Sequence, residues 1–298
     1  MKIIFLMLFA YSCSSDVSIM KRYEEPEDTN TDSIVDSENE DSSTSTPQED
    51  TQEDRMTELT IGYSEIHFRQ IACPPCVGEA SEFDISATLK LHYPTSGDYT
   101  DYLQQPGTCT TNLIQTHVSS QPLASNQPAA FNGITLNPSG PGEWYNGFIY
   151  EYQYERNSSY SVTSEHGVIN NAFTSIEGFD DIQPYTLLWV DPSYAYDSVI
   201  SKSGTNFSWY PIVNNSLFEI IIAVYSMDGS QFLGAVSCLD YDSGSLFIPG
   251  SYFQMYPSYA IAAVHLIRHR IERTPVPELN GYLQSHMIWE VVGTGHIE

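Results

Sequence analysis

Positive charge is scarce in this chain: 11 Lys and Arg stand against 38 Asp and Glu, for a formal charge of −27. So negative a protein is repelled by phosphate backbones and by anionic lipid headgroups. Nucleic acid is therefore not expected as a partner, while divalent cations, cationic surfaces and neutral glycans stay open. Long apolar runs are lacking as well. The most apolar stretches beyond the first residues, SLFEIIIAVY and YAIAAVHLI, carry Glu219 or stop at Arg268, short of the ~20 residues a spanning helix needs. Helical periodicity is missing beyond a turn or two, and GSYFQMYP is the one stretch expected to make a helical turn. Short catalytic signatures are missing too: no G-x-S-x-G, no H-E-x-x-H, no phosphate-binding loop before a helix, and no H-x-E with paired cysteines. Carboxylate-pair chemistry leaves no such signature and is not excluded by this.

What is present begins with an export signal. Lys2 gives a short positive start, and Ile3 to Tyr11 form an apolar stretch too short to span a bilayer. The ending LFAYSC, with small Ala10 and Ser12 before Cys13, resembles the lipobox of bacterial lipoproteins. That resemblance implies a signal peptide over 1–12, cleavage before Cys13 and acylation of its sulfur. It also implies sorting to the outer membrane, because Ser14 follows the cysteine. An ordinary secretory signal cut nearby is the alternative. Residues 13–57 read EEPEDTNTDSIVDSENEDSSTSTPQED and the like, with too few apolar side chains to offset the entropy of ordering. They are expected to form a disordered acidic linker with a span of about 35–40 Å, a spacer between membrane and folded part.

From about Met56 onward short alternating runs rich in Tyr, Thr, Val and Ile replace the linker, punctuated by Gly, Pro, Asn and Asp. This is an all-β pattern. FDISATLKLHY places Phe83, Ile85, Ala87, Leu89, Leu91 and Tyr93 on one side, and FIYEYQYE does so with Phe148, Tyr150, Tyr152 and Tyr154. FEIIIAVY places Phe218, Ile220, Ile222 and Val224 on one face, with its other face partly covered. The length suits two tandem Greek-key β-sandwich modules, 58–181 and 182–298, with the junction at GFDDIQPYTLL where Pro184 interrupts pairing. NSSYSVT around Tyr160 and YPSYAIAAV around Tyr259 resemble the tyrosine corner of immunoglobulin-like and fibronectin type III sandwiches, and Trp209 resembles their early-strand tryptophan. The resemblance implies architecture and carries no activity.

The five cysteines divide into Cys13 and four others in an oxidising compartment. Cys73 and Cys76 form a Cys-x-x-Cys around two prolines. The chain after it runs into a strand, so no helix terminus is there to lower a thiol pKa, and a structural role is expected over a redox one. The candidate disulfide residues are Cys73, Cys76 and Cys109, with Cys109 joined to one of the first two, or Cys73 joined to Cys76. Cys238 reads as a buried free thiol, and a zinc site of Cys73, Cys76, Cys109 and a histidine is a further alternative.

Acidic pairs offer weak metal candidates. Asp180 and Asp181, with Glu177, cluster at the proposed junction, and Asp240 and Asp242 in LDYDSGS are spaced like the first half of a calcium loop. Solvated turns explain the same letters, and calcium is the only cofactor these groups suggest. HLIRHRIER puts His265 and His269 on one face of a strand and Arg268 and Arg270 on the other, where pairing with the protein's own carboxylates is the plainer reading. The expected function is a lipid-anchored envelope binding or adhesion protein without catalysis, attached to the membrane and taking a protein or glycan ligand. The alternatives are an assembly subunit of an outer-membrane complex and, behind it, an envelope-polysaccharide hydrolase.

Overall fold

Alternation of apolar and polar residues decides most of the local structure, because successive side chains of a strand point to opposite faces. The computed structural model describes residues 59–71, 83–95, 103–111, 123, 128–138, 145–150, 153, 158–164, 167–174, 182–184, 199–277 and 280–298, all within one unit, Glu49–Glu298. The chain is all-β. Its strands are β1 (Thr60–Ile71), β2 (Phe83–Thr95), β3 (Thr108–Thr110), β4 (Ala129–Phe131), β5 (Ile134–Pro138), β6 (Tyr145–Phe148), β7 (Ser159–Ser164) and β8 (Gly167–Thr174). They continue as β9 (Gln183–Pro184), β10 (Val199–Ile200), β11 (Gly204–Tyr210), β12 (Leu217–Tyr225), β13 (Phe232–Tyr241), β14 (Ser245–Pro249), β15 (Ile261–Val276) and β16 (Gly281–Ile297). GSYFQMYP makes its expected turn as a 3-10 segment, Gly250–Tyr252.

One large sheet runs in the order β3-β13-β12-β15-β16-β1-β2-β6-β5-β4-β7-β8, with β10 added beside β16. A smaller sheet has the order β14-β11-β9. Nearly all pairings are antiparallel; β1 and β10 lie parallel to β16. The path curls back, so that β8 comes against β15 and β16, and the small sheet packs Trp209 flat on Phe218 of β12, 3.6 Å between ring centroids. One face of the large sheet is apolar: Ile66 and Phe68, Ile85 and Leu89, Phe218, Ile220 and Ile222, Val264 and Leu266, Met287 and Trp289 are all buried. Each such side chain contributes about 1.5–3 kcal/mol on leaving water.

The expected division at 181/182 finds no support in the pairing. β1 lies between β2 and β16, and β3 extends β13, so strands from both proposed modules share one sheet. A single apolar cluster likewise contains Phe131 and Tyr160 together with Trp209 and Phe218. The physical reason is the demand of β16, which is buried along almost its entire length. A strand in that position needs neighbours on both edges, and β15 supplies only one.

Of the two tyrosines likened to a corner, Tyr160 is buried and stacks on Phe131 at 4.9 Å. Tyr259 is half-exposed, stands in a turn at φ 66°, and stacks on His296.

Candidate functional site

Cys13, Cys73, Cys76, Glu177, Asp180 and Asp181 lie outside the described residues. Cys109 is in a disulfide, and its partner is Cys238. This corrects two expectations, the pairing of Cys109 with Cys73 or Cys76 and the free thiol at Cys238. β3 is laid against β13 with Cys109 and Cys238 directly opposite each other on the apolar face, where the two Cβ atoms meet at bonding range.

Asp240 and Asp242, weak calcium candidates beside the turn that explains the same letters, have separate partners. Asp242 is buried and saturated with donors: Arg268 Nε at 2.8 Å, Trp209 Nε1 at 2.7 Å, the Val213 amide at 3.1 Å and Ser216 Oγ at 3.2 Å. Asp240 accepts the amide of Tyr241 and does not join it. Arg268 is the largest fully buried side chain and also donates to the Pro211 carbonyl. Charge here is neutralised pairwise, and removing one partner of such a pair costs about 3–5 kcal/mol. Arg270 pairs with Glu272 on its own strand. Among the described residues no group of three His, Cys, Asp or Glu side chains converges on a metal position.

The opposite, polar face of the large sheet holds what sequence reasoning missed. β15 presents His265 and His269 as expected; to these β16 adds His286 and Glu290, β1 adds Tyr63, Glu65, His67 and Arg69, and β12 adds Glu219. The register puts them side by side, with Glu65 beside His286, Arg69 beside Glu290, and Glu219 beside Ile267. Glu290 holds His67 Nε2 at 2.7 Å on one oxygen and His265 Nδ1 at 2.5 Å on the other, with Arg69 at 3.7 Å. Burial alone would raise its pKa; the hydrogen bonds and charges of the two imidazoles outweigh it and hold the carboxyl far below its usual range. His67 answers in kind: burial lowers its pKa, and the bond to Glu290 with the charges of Glu290 and Glu65 raises it above the ordinary value.

A second set runs alongside. Glu219 accepts from Ser237 Oγ at 2.6 Å and meets His269 Nε2 at 3.1 Å; His269 Nδ1 meets His286 Nε2 at 2.9 Å; His286 Nδ1 meets the Tyr63 hydroxyl at 2.7 Å, and Tyr63 bonds Glu65. Burial pushes Glu219 up, and the bond and charge of His269 bring it below normal. The one available signal for this face was polar alternation in SEIHFR and LQSHMIWE, which fixes a strand's two sides without naming its neighbours.

A different surface suits ligand contact. On β11 and β14 the inward residues Phe207, Trp209 and Ile248 are buried, while Asn206, Ser208, Tyr210, Ser245 and Phe247 face outward. Tyr210, Ile212 and Phe247 are 54–57 % exposed. The Phe247 ring lies over Gly204, where a Cβ would come within 2.5 Å of it at φ 117°, so glycine there lets the ring lie flat on the backbone. Rings, hydroxyls and an amide alternate on this face, and none of these side chains is charged. Compared with protein-family models, with curated proteins and with solved structures, the chain matches none of them.

Proposed function

We propose that this chain is an exported, lipid-anchored protein of the bacterial outer membrane that binds a neutral glycan at the cell envelope and performs no chemistry on it. The anchor is Cys13 and the spacer is the acidic segment after it. The observation that carries the binding reading is the outward face of β11 and β14, where Tyr210, Ile212 and Phe247 are exposed beside Asn206, Ser208 and Ser245. Sugar rings present apolar C–H faces and hydroxyl edges, so an aromatic surface edged by hydroxyls and an amide matches both. The support beneath is rigid, because the inward residues of the same strands are part of the core. The strong negative charge of the chain favours a neutral ligand over an acidic one.

The test is equilibrium binding of the purified full chain to neutral envelope oligosaccharides. Tyr210→Ala and Phe247→Ala should each weaken binding roughly two- to twelve-fold, as loss of a stacking contact of about 0.5–1.5 kcal/mol requires. Their unfolding midpoints should not move, since both rings are largely in water. Saturable binding to an envelope protein with none to glycans would turn the reading toward an assembly subunit. In cells, Cys13→Ala should release the protein from the membrane fraction, because a chain without acyl groups has no hold on lipid.

A further inference from the structure

When hydrogen-bond donors and acceptors alternate without a gap, their order fixes where the protons sit. The chain Glu219–His269–His286–Tyr63–Glu65 crosses β12, β15, β16 and β1 in this way, and each end is a carboxylate. An ionised carboxylate only accepts. Working from Glu65, the Tyr63 hydroxyl donates to it and accepts from Nδ1–H of His286. Nε2 of His286 is then bare and accepts from Nδ1–H of His269. Working from Glu219, which already accepts from Ser237, Nε2–H of His269 donates as well. His269 thus holds two N–H groups and is an imidazolium between a carboxylate and a neutral ring.

We propose that this chain is a proton relay through which His269 exchanges its proton with solvent at Glu65. In the outward step the Tyr63 O–H bond breaks as a Glu65 Oε2–H bond forms, the His286 Nδ1–H bond breaks as a new Tyr63 O–H bond forms, and the His269 Nδ1–H bond breaks as a His286 Nε2–H bond forms. The net change moves one proton from His269 Nδ1 to Glu65 Oε2, and water then takes it. The His269 side chain is 5 % exposed and that of Glu65 24 %, so the path leads from an enclosed ring to an open carboxylate. Ionisation of His269 is thereby tied to two other events, reversal of the His286 tautomer and release of the Tyr63–Glu65 bond.

The groups around the relay are accounted for strand by strand. β1 adds His67 and Arg69; β16 adds Glu290, and Tyr282 lies farther along under Arg273 of β15. His265 of β15 is bound to Glu290. Lys90 of β2 is the register partner of Tyr63. β13 offers the hydroxyl of Ser237 and, at its end, Tyr241. β8, which comes against β15 and β16, contains no titratable residue.

The experiment is long-range proton–nitrogen NMR of the full-length protein, isotope-labelled at histidine nitrogens, through a pH series. His286 should pass from the Nδ1–H to the Nε2–H tautomer in the same transition in which His269 loses a proton. Tyr63→Phe keeps the ring and drops the hydroxyl; Nδ1–H of His286 then loses its acceptor, and the transition of His269 should move to lower pH. Glu65→Gln, which accepts from Tyr63 and also donates to it, should shift the transition of His269 to lower pH. The proposal is overturned by a His269 with one proton at every pH, by a His286 that keeps its tautomer while His269 titrates, or by a His269 transition that Tyr63→Phe leaves unmoved. An unmoved transition in Glu65→Gln overturns it equally, and that variant serves if Tyr63→Phe does not fold.

Discussion

At the residue scale, His286 is the group that refuses a proton. Its burial disfavours charge, and the positive charges of His269 and His67 add to that, so its pKa lies well below the ordinary value. The unfolded chain takes up a proton there as pH falls through about 6.5 and the folded chain does not. The stability His286 confers is therefore present above that pH and lost below it. Glu219 and Glu290, both lowered, act in the same direction further down, their contribution disappearing as pH falls below about 4.3 toward the folded values. His67 is raised and acts oppositely: its contribution is complete below about pH 6.5 and is lost as pH rises through the folded value. Urea unfolding across pH should show stability rising as pH climbs toward about 6.5, the direction set by the lowered His286 pKa, and His286→Gln should flatten that rise; an unchanged slope in the variant would refute the assignment. The histidines on β15 were legible because i and i+4 of a strand share a face. The partners were not, since Glu290 lies 25 positions from His265 and its bond to His67 spans 223. The partner of Asp242 was hidden for the same reason: local spacing suits a turn or a cation loop, and the guanidinium bound to it arrives 26 residues later.

At the element scale, alternation identified strands well and their faces less well. Ile85, Ala87, Leu89 and Leu91 of β2 are buried as expected, yet Tyr93 is half-exposed. The run FIYEYQYE does not continue as a strand: β6 ends at Phe148, Gln153 stands in a 3-10 turn, and Tyr152 and Tyr154 lie outside the described residues. Tyr145 and Ile149 turn inward, while Phe148 and Tyr150 are 80 % and 64 % exposed. A one-residue change of phase exchanges every side chain between faces, and composition favours neither phase when rings occur in both. β12 matched on both sides, with Phe218, Ile220, Ile222 and Val224 buried on one and Ala223 buried on the other. The link between β3 and β13 carries the prediction at this scale. Cys109 and Cys238 are separated by 129 residues, and a cross-link over so long a loop stabilises by about 2–4 kcal/mol. Reduction, or Cys109→Ser with Cys238→Ser, should lower the unfolding midpoint to match; no change on reduction would mean the bridge is absent or does not constrain the unfolded chain.

At the scale of the whole molecule, fold class was legible and division was not. Local patterns record burial and turns, and nothing local tells β1 that its neighbour is β16, with Thr60 beside Tyr282. Residues 182–298 produced separately should therefore show no cooperative unfolding, because β16 would lose β1 along its length and His286 would lose Tyr63. A sharp transition in that fragment would restore the two-module arrangement.

The same pairing bears on mechanics. A pull applied to the chain ahead of Leu59 runs along β1, which is hydrogen-bonded on one edge to β16 and on the other to β2 over nearly its full twelve residues. Such a load shears both ladders at once instead of peeling bonds singly. A load that enters the sheet through β1 therefore meets two ladders in parallel, and unfolding under tension from that end should need a large force before any strand detaches.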